Sequence, residues 1–234
     1  MDNVKIYYLS QDGSERDRLM RKRFDTLGLK FTQVEWADNN WMKSNGYDSG
    51  YSCMFGHIKM LKKFIEDAGS NDKLSNDKLS NDNLFCCVFE DDVYISKYLS
   101  SDMGMLLSRM ELLKLDILLI GYLIDNFDVV KRSIHSITFS GYDSELWGSQ
   151  GYIVPMKVAK KLVEIYDEAY LIRYLDGKEK VPFSADWTIT KYGNRALVYP
   201  MYAVEEGTIK SDHPAQVSYH KRCAAFNYDP NIYI

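Results

Sequence analysis

The stretch that most constrains this chain reads LFCCVFEDDV, from Leu84 to Val93. Its six leading apolar residues have the length and composition of a strand that is buried on both faces. Three carboxylates, Glu90, Asp91 and Asp92, follow directly. Because adjacent acids repel one another and resist burial, a positive group is expected beside them, and a divalent cation with oxygen ligands is the simplest candidate. The alternative interpretation is a solvated acidic turn after a core strand.

The segments around that run predict an α/β domain with a mostly parallel central sheet. A strand over 4–9, a helix over 14–28 that Ser14 caps, and a strand over 31–36 form a β-α-β unit, which favours parallel pairing. The remaining patterns predict helices at 52–65, 103–113, 156–174 and from 182, strands at 115–121, 148–155 and 196–200, short antiparallel strands near 129–130 and 136–139, and loops over 38–51 and from 201 onwards.

A short tandem repeat precedes the acidic strand. The pentamer Ser-Asn-Asp-x-Leu occurs three times between residues 70 and 84. Five residues are too few to build a repeat architecture, and the composition is polar, so the repeat is interpreted as a surface-loop insertion. The prediction is therefore a single domain over residues 1–234.

Composition excludes several classes of function. A net charge of -4 gives no basic footprint for nucleic acid. The four cysteines include no CxxC pair, which argues against a structural zinc site and favours reduced thiols. The first residues lack the apolar core of a signal peptide, and no run approaches the roughly 18 apolar residues of a membrane span. These features predict a cytoplasmic protein without a transmembrane segment.

Several motifs follow one another along most of the chain. They are the helix with Arg16 and Arg18 after the first strand, SCMFGH at 52–57, VFEDDV at 88–93, DILLIG at 116–121, GSQGYI at 148–153 with Ala159 after it, and Asp186. Their order resembles glycosyltransferase family 25, which includes bacterial lipopolysaccharide galactosyltransferases and collagen galactosyltransferases. Gly56 departs from the family pattern, which has serine there, and the pentamer insertion is foreign to it.

The resemblance implies a GT-A type fold and a metal-dependent, inverting hexosyltransferase. The implied donor is a nucleotide-diphosphate sugar such as a UDP-sugar, the implied metal is manganese (Mn2+) or magnesium (Mg2+), and the implied acceptor is a hydroxyl of a glycan or glycoprotein. The resemblance also implies a role in the synthesis of lipopolysaccharide or of a viral glycan. The implied location is the cytoplasm, or the host cytoplasm or the virion if the protein is viral.

The resemblance makes the three acids a DxD-like element. Asp92 is then the candidate for direct metal coordination, and Glu90 or Asp91 would contact the metal shell or the ribose. His213 is the favoured third ligand, and His220 is the alternative.

The remaining candidates each have a structural alternative. Asp186 would be the general base, or else only a helix N-cap. Arg16 and Arg18 would bind the diphosphate of the donor, or else form a solvated helix face. His57 would pack in the core, or else contact the nucleotide. Four residues are expected to line the acceptor side of the substrate pocket, or else to form only a tight strand bend. They are Gly148, Ser149, Gln150 and Tyr152.

Two other functions remain open on the sequence. A non-catalytic member of the same fold would bind a nucleotide sugar or a glycan without transferring it. A nucleotidyl or phosphoryl transferase would also use acids at a strand end, but the chain has no phosphate loop of the GxxxxGK[ST] type.

Overall fold

The computed structural model describes residues 3–71, 83–126, 137–142, 145–207 and 216–234. These residues form an α/β fold with a seven-stranded central sheet, a two-stranded antiparallel sheet and seven α-helices. The strands are β1 (Val4–Leu9), β2 (Phe31–Val34), β3 (Phe85–Phe89), β4 (Val93–Ile95), β5 (Ile117–Leu123), β6 (Thr138–Ser140), β7 (Trp147–Pro155), β8 (Arg195–Tyr199) and β9 (Ala203–Glu205). The helices are α1 (Glu15–Thr26), α2 (Asn39–Ser44), α3 (Ser52–Asn71), α4 (Leu99–Leu112), α5 (Met156–Ile165), α6 (Glu168–Leu175) and α7 (Val217–Asn227).

The central sheet has the strand order β2-β1-β3-β7-β5-β8-β6. Five strands run in one direction, and β6 and β7 oppose them. Strands β4 and β9 pair separately in antiparallel fashion. The expected α/β class, with a mostly parallel sheet and a small antiparallel portion, is confirmed at this level.

Side-chain alternation in β3 divides the core into two layers. All five of its residues are buried. Cys86 and Val88 pack into the layer that holds α3 and α5, whereas Phe85, Cys87 and Phe89 pack into the layer that holds α1 and α4. Successive strand residues point to opposite faces, so a continuous apolar run is what a strand between two helical layers requires.

The order of the strands reverses at β1. The chain passes from β1 through α1 to β2 on one side of β1, and it later forms β3 on the other side. The carboxyl ends of the parallel strands β1 and β3 therefore meet at a topological switch point, where α/β sheets tend to bind ligands. Ser10 follows β1 there, and Glu90 follows β3.

Two of the expected segments before residue 180 have a different organisation in the structure. The expected loop at 38–51 contains α2, because the Asp38 carboxylate accepts from the backbone N–H of Asn40 and Trp41 and caps the helix. The expected helix over 156–174 divides into α5 and α6, since Asp167 caps a new helix through the Tyr170 N–H.

The later part of the chain also departs from expectation. The segment expected to start a helix at 182 forms turns and a short 3-10 helix at Ile189–Lys191, so Asp186 caps no α-helix. The region after residue 201 contains β9 and α7 rather than loop alone. The strand expected near 129–130 and most of the pentamer repeat lie outside the described residues.

Among the helices that the structure describes, none combines the length and the hydropathy that crossing a membrane requires.

Candidate functional site

Five carboxylates converge at the carboxyl ends of β1 and β3. Glu90, Asp91 and Asp92 follow β3, Asp186 comes from the turns after residue 182, and Glu205 ends β9. Their charges act on one another: Glu90 and Glu205 both raise the pKa of Asp92, and Glu90 raises that of Asp186. The fold thus collects acids from three distant segments of the chain.

Asp91 is held by groups that follow β1. The Ser10 hydroxyl donates to Oδ2 at 2.7 Å, and the Arg16 guanidinium donates to Oδ1 at 3.3 Å. The side chain is only 4% exposed, and burial raises its pKa despite these two partners. Arg16 also lies 3.7 Å from Asp92, whereas Arg18 is exposed on α1 and forms no ion pair with a described carboxylate. The structure therefore brings Arg16, but not Arg18, to the acids.

Glu90 is held from the opposite side. Its Oε1 accepts from the Ser149 hydroxyl at 2.6 Å and lies 3.3 Å from His57 Nε2. The buried Tyr152 hydroxyl lies 3.1 Å from His57 Nδ1, so the ring is held between Tyr152 and Glu90, with Nε2 as the nitrogen that faces the carboxylate. Burial alone would raise the pKa of Glu90. The hydrogen bond and charge of His57, together with the Ser149 hydroxyl, have the larger effect and lower it. Tyr152 therefore positions His57 rather than lining a pocket.

Asp92 carries an unpaired oxygen. Its Oδ1 is buried and has no hydrogen-bond partner among the described residues, while Oδ2 faces Arg16. Burial, followed by the charges of Glu90 and Glu205, raises the Asp92 pKa well above its usual value. The Gln150 amide oxygen is also buried without a partner, while its amide nitrogen donates to Glu205 at 3.3 Å. An unpaired buried carboxylate oxygen beside like charges, as at Asp92, is what a hard divalent cation would satisfy.

Glu205 links the C-terminal helix to the acids. His220 on α7 lies with Nδ1 at 2.7 Å and 2.8 Å from its two carboxylate oxygens. That hydrogen bond raises the His220 pKa against the opposing effect of burial, and the charges of Asp186 and Glu90 add to it. Of the two candidate histidines, His220 belongs to this site, and His213 lies outside the described residues.

Asp186 is oriented by the backbone of β7. Its Oδ1 accepts from the Gly148 N–H at 2.8 Å. Burial and then the charge of Glu90 raise its pKa. Gly148 has φ +132°, and a Cβ there would lie 2.3 Å from Gln150 Oε1 and 2.6 Å from Tyr122 Cα. Only glycine fits this position, and the strand bend that sequence suggested serves to direct an N–H at Asp186.

A second group of possible metal ligands shares Glu90 with the five carboxylates. The ligand atoms of Cys53, His57 and Glu90 all lie within 4.8 Å of one another. Burial and the surrounding carboxylates raise the Cys53 pKa well above its usual value, so the thiol stays protonated and is a poor metal ligand. The thiol therefore weakens this trio as a metal site, and among the described residues no group of three or more such ligand atoms that includes Asp92 lies this close together.

Sequence reasoning missed Ser10 and Glu205 and gave His220 second place. Ser10 had a readable signal, because it directly follows β1 as Glu90 follows β3. Glu205 had none, since the three-residue strand β9 is too short to show alternation.

Comparisons with models of known protein families and with curated proteins found no match for this chain. The site is therefore characterised by its own chemistry. It combines clustered carboxylates, the Arg16 guanidinium beside Asp91 and Asp92, and the separately held Asp186 carboxylate with a raised pKa.

Proposed function

We propose that this protein is a metal-dependent, inverting glycosyltransferase of the GT-A type, as its resemblance to glycosyltransferase family 25 implies. It would move a hexose from a nucleotide-diphosphate sugar, such as a UDP-sugar, to a hydroxyl group of a glycan or glycoprotein. The observation that carries the proposal is the unpaired, buried Asp92 Oδ1 among five carboxylates at the switch point between β1 and β3.

The donor would bind across the carboxyl ends of β1 and β3. That crevice is where α/β sheets receive nucleotides, and Arg16 offers a forked donor to the diphosphate. Asp91 holds Arg16 and Ser10 in place from the other side. Five acids around one arginine would repel a diphosphate, so donor binding requires added positive charge.

The oxygen donors that would hold a divalent cation are the carboxylates of Asp92 and Glu90, and His220 holds the Glu205 carboxylate beside them. This oxygen set suits manganese or magnesium rather than a thiolate-seeking metal. When bound, such an ion supplies neutralising charge for the departing nucleoside diphosphate.

Asp186 is the candidate base. As the acceptor oxygen forms its bond to the anomeric carbon, the bond from that carbon to the diphosphate breaks, and its electron pair leaves with the diphosphate. Asp186 takes the proton of the acceptor hydroxyl. The raised pKa of Asp186 favours this step, because a stronger base accepts the proton more readily.

The test combines thermal unfolding with product analysis. Wild-type protein is heated with MnCl2 or MgCl2 and a panel of UDP-hexoses, and released nucleoside diphosphate is measured by mass spectrometry. At 100 times the dissociation constant a ligand adds about 2.7 kcal/mol, which is roughly 5–10 °C for a chain of this size. We expect such a cation-dependent shift and slow release of UDP.

The informative variant is Asp92→Asn, which removes the charge but keeps the volume. Its shift with the cation and its UDP release should be lost, while Asp25→Asn, on the exposed face of α1, should behave as wild type. No shift with either cation and no UDP from any donor would contradict the proposal. Tight donor binding without turnover would indicate a binding protein, and release of pyrophosphate would indicate a nucleotidyl transferase.

A further inference from the structure

Two tryptophans form an exposed aromatic pair at the edge of the site. The ring centroids of Trp147 and Trp187 lie 5.1 Å apart with an interplanar angle of 79°, an edge-to-face arrangement. Trp147 is 38% exposed, and Trp187 is half-buried. In this geometry the edge of one ring covers the face of the other, so the pair holds both rings in fixed orientations while leaving apolar surface in water.

The position of this pair is tied to the candidate base. Trp147 precedes Gly148 and Trp187 follows Asp186, and these two partners are joined by the 2.8 Å hydrogen bond from N–H to carboxylate. Each tryptophan is therefore one residue away from an end of the bond that orients Asp186. The hydrogen bond from Gly148 to Asp186 and the contact between the two indoles thus join the same two segments at adjacent positions.

A pyranose ring suits this combination. Its C–H face is apolar and packs on aromatic rings, while its hydroxyl groups need polar partners. An aliphatic side chain that carries a hydroxyl group has no ring face to pack on the indoles.

We propose that the Trp147–Trp187 pair is the platform for the acceptor, and that the acceptor presents a sugar ring rather than a bare amino-acid side chain. The terminal pyranose would pack on the indole surface and direct one hydroxyl group at Asp186. This inference rests on the proposed function for the role of Asp186, but the sugar-binding surface itself does not depend on turnover.

The direct test is saturation-transfer NMR with lactose, maltose and chitobiose as probes, without donor, on wild type and on Trp147→Ala. The matched control is Trp41→Ala, because Trp41 is 39% exposed and packs on Phe55 and Tyr47. We expect at least one disaccharide to bind wild type and Trp41→Ala alike, and to bind Trp147→Ala about tenfold more weakly. Trp147→Phe keeps an aromatic ring and should retain part of the binding, and circular dichroism checks the fold of each variant.

The outcomes separate this inference from the proposed function. If UDP is released but no disaccharide binds, or if Trp147→Ala binds as wild type does, the platform is refuted while the transferase stands. If no donor is turned over and a disaccharide still binds through Trp147, the transferase fails and the platform stands as a glycan-binding surface. Equal loss of binding in Trp41→Ala and Trp147→Ala would also refute the platform.

Discussion

At the scale of single residues, Asp186 is a carboxylate in surroundings that oppose its charge. Burial and the charge of Glu90 raise its pKa above the unfolded value of 3.8. Below that value the group is protonated in both states and contributes nothing to the pH dependence. As pH rises from there through the folded pKa, ionisation costs more in the folded protein, and stability falls. The ionised form of the Asp186 carboxylate thus lowers the stability of the fold.

We therefore predict that Asp186→Asn has a higher free energy of unfolding than wild type at pH values above about 4, and that the difference grows as pH rises. The asparagine oxygen can still accept from the Gly148 N–H. The measurement is urea unfolding at a series of pH values with a chelator present. Asp25→Asn, on the exposed face of α1, is measured in parallel as the control for the general effect of removing one carboxylate. An advantage that shrinks with rising pH would contradict the assignment of the raised pKa.

The sequence predicted individual site residues where their chemistry was local. The three acids after β3 were recognisable because they directly follow a buried run, and Arg16 because it follows the first strand. It did not predict that Glu90 would be held by His57 and Ser149, or that Glu205 would join the acids, since these contacts cross the chain.

At the scale of elements, the contact between α3 and β1 depends on Gly56. A Cβ at this position would lie 2.5 Å from Leu9 Cδ2 and 2.7 Å from Cδ1, and Leu9 is fully buried. Glycine at position 56 thus has a packing reason, because the Leu9 side chain fills the space that a side chain there would use.

Gly56→Ala should destabilise the protein by roughly 1–3 kcal/mol through overpacking, although alanine is intrinsically the better helix former. The matched control is Gly104→Ala in α4, where no atom lies within 4 Å of the added Cβ. That variant should be stabilised by up to about 1 kcal/mol. Both values come from chemical denaturation, and a gain in stability for Gly56→Ala would show that Leu9 can move aside.

At the scale of the whole molecule, one buried ion pair ties α1 to both strands of the small sheet. Arg23 pairs with Glu206 and donates to the Val93 carbonyl at 2.9 Å, and its guanidinium lies 4.9 Å from the Tyr94 ring centroid. The Glu206 N–H donates in turn to the Asp92 carbonyl at 2.7 Å. The pair thereby fixes the backbone that carries the candidate metal ligand.

Arg23→Met should cost about 3–5 kcal/mol, because it leaves Glu206 buried without its partner. Restoring neutrality with the double variant Arg23→Met/Glu206→Met should recover much of that loss. Arg173→Met removes a comparable but exposed pair with Glu179 and should cost at most about 1 kcal/mol. Denaturant unfolding of the four proteins measures this, and equal costs for Arg23→Met and Arg173→Met would refute the structural role.

The sequence by itself determined the β-α-β opening, the buried strands β3 and β5, and the acids at the end of β3. These features follow from periodicity and composition within short segments, which local sequence encodes. It also indicated the α/β class, because strands and helices alternate along most of the chain.

Only the tertiary structure decided how the site is completed. The antiparallel insertion of β7 beside β3, with Gly151 opposite Phe89, places Ser149 and Gln150 next to Glu90. Residues 205 and 220 reach the acids because β9 pairs with β4. Strand pairing and register depend on how the whole core packs, and no short stretch of sequence specifies which distant strand will become its neighbour.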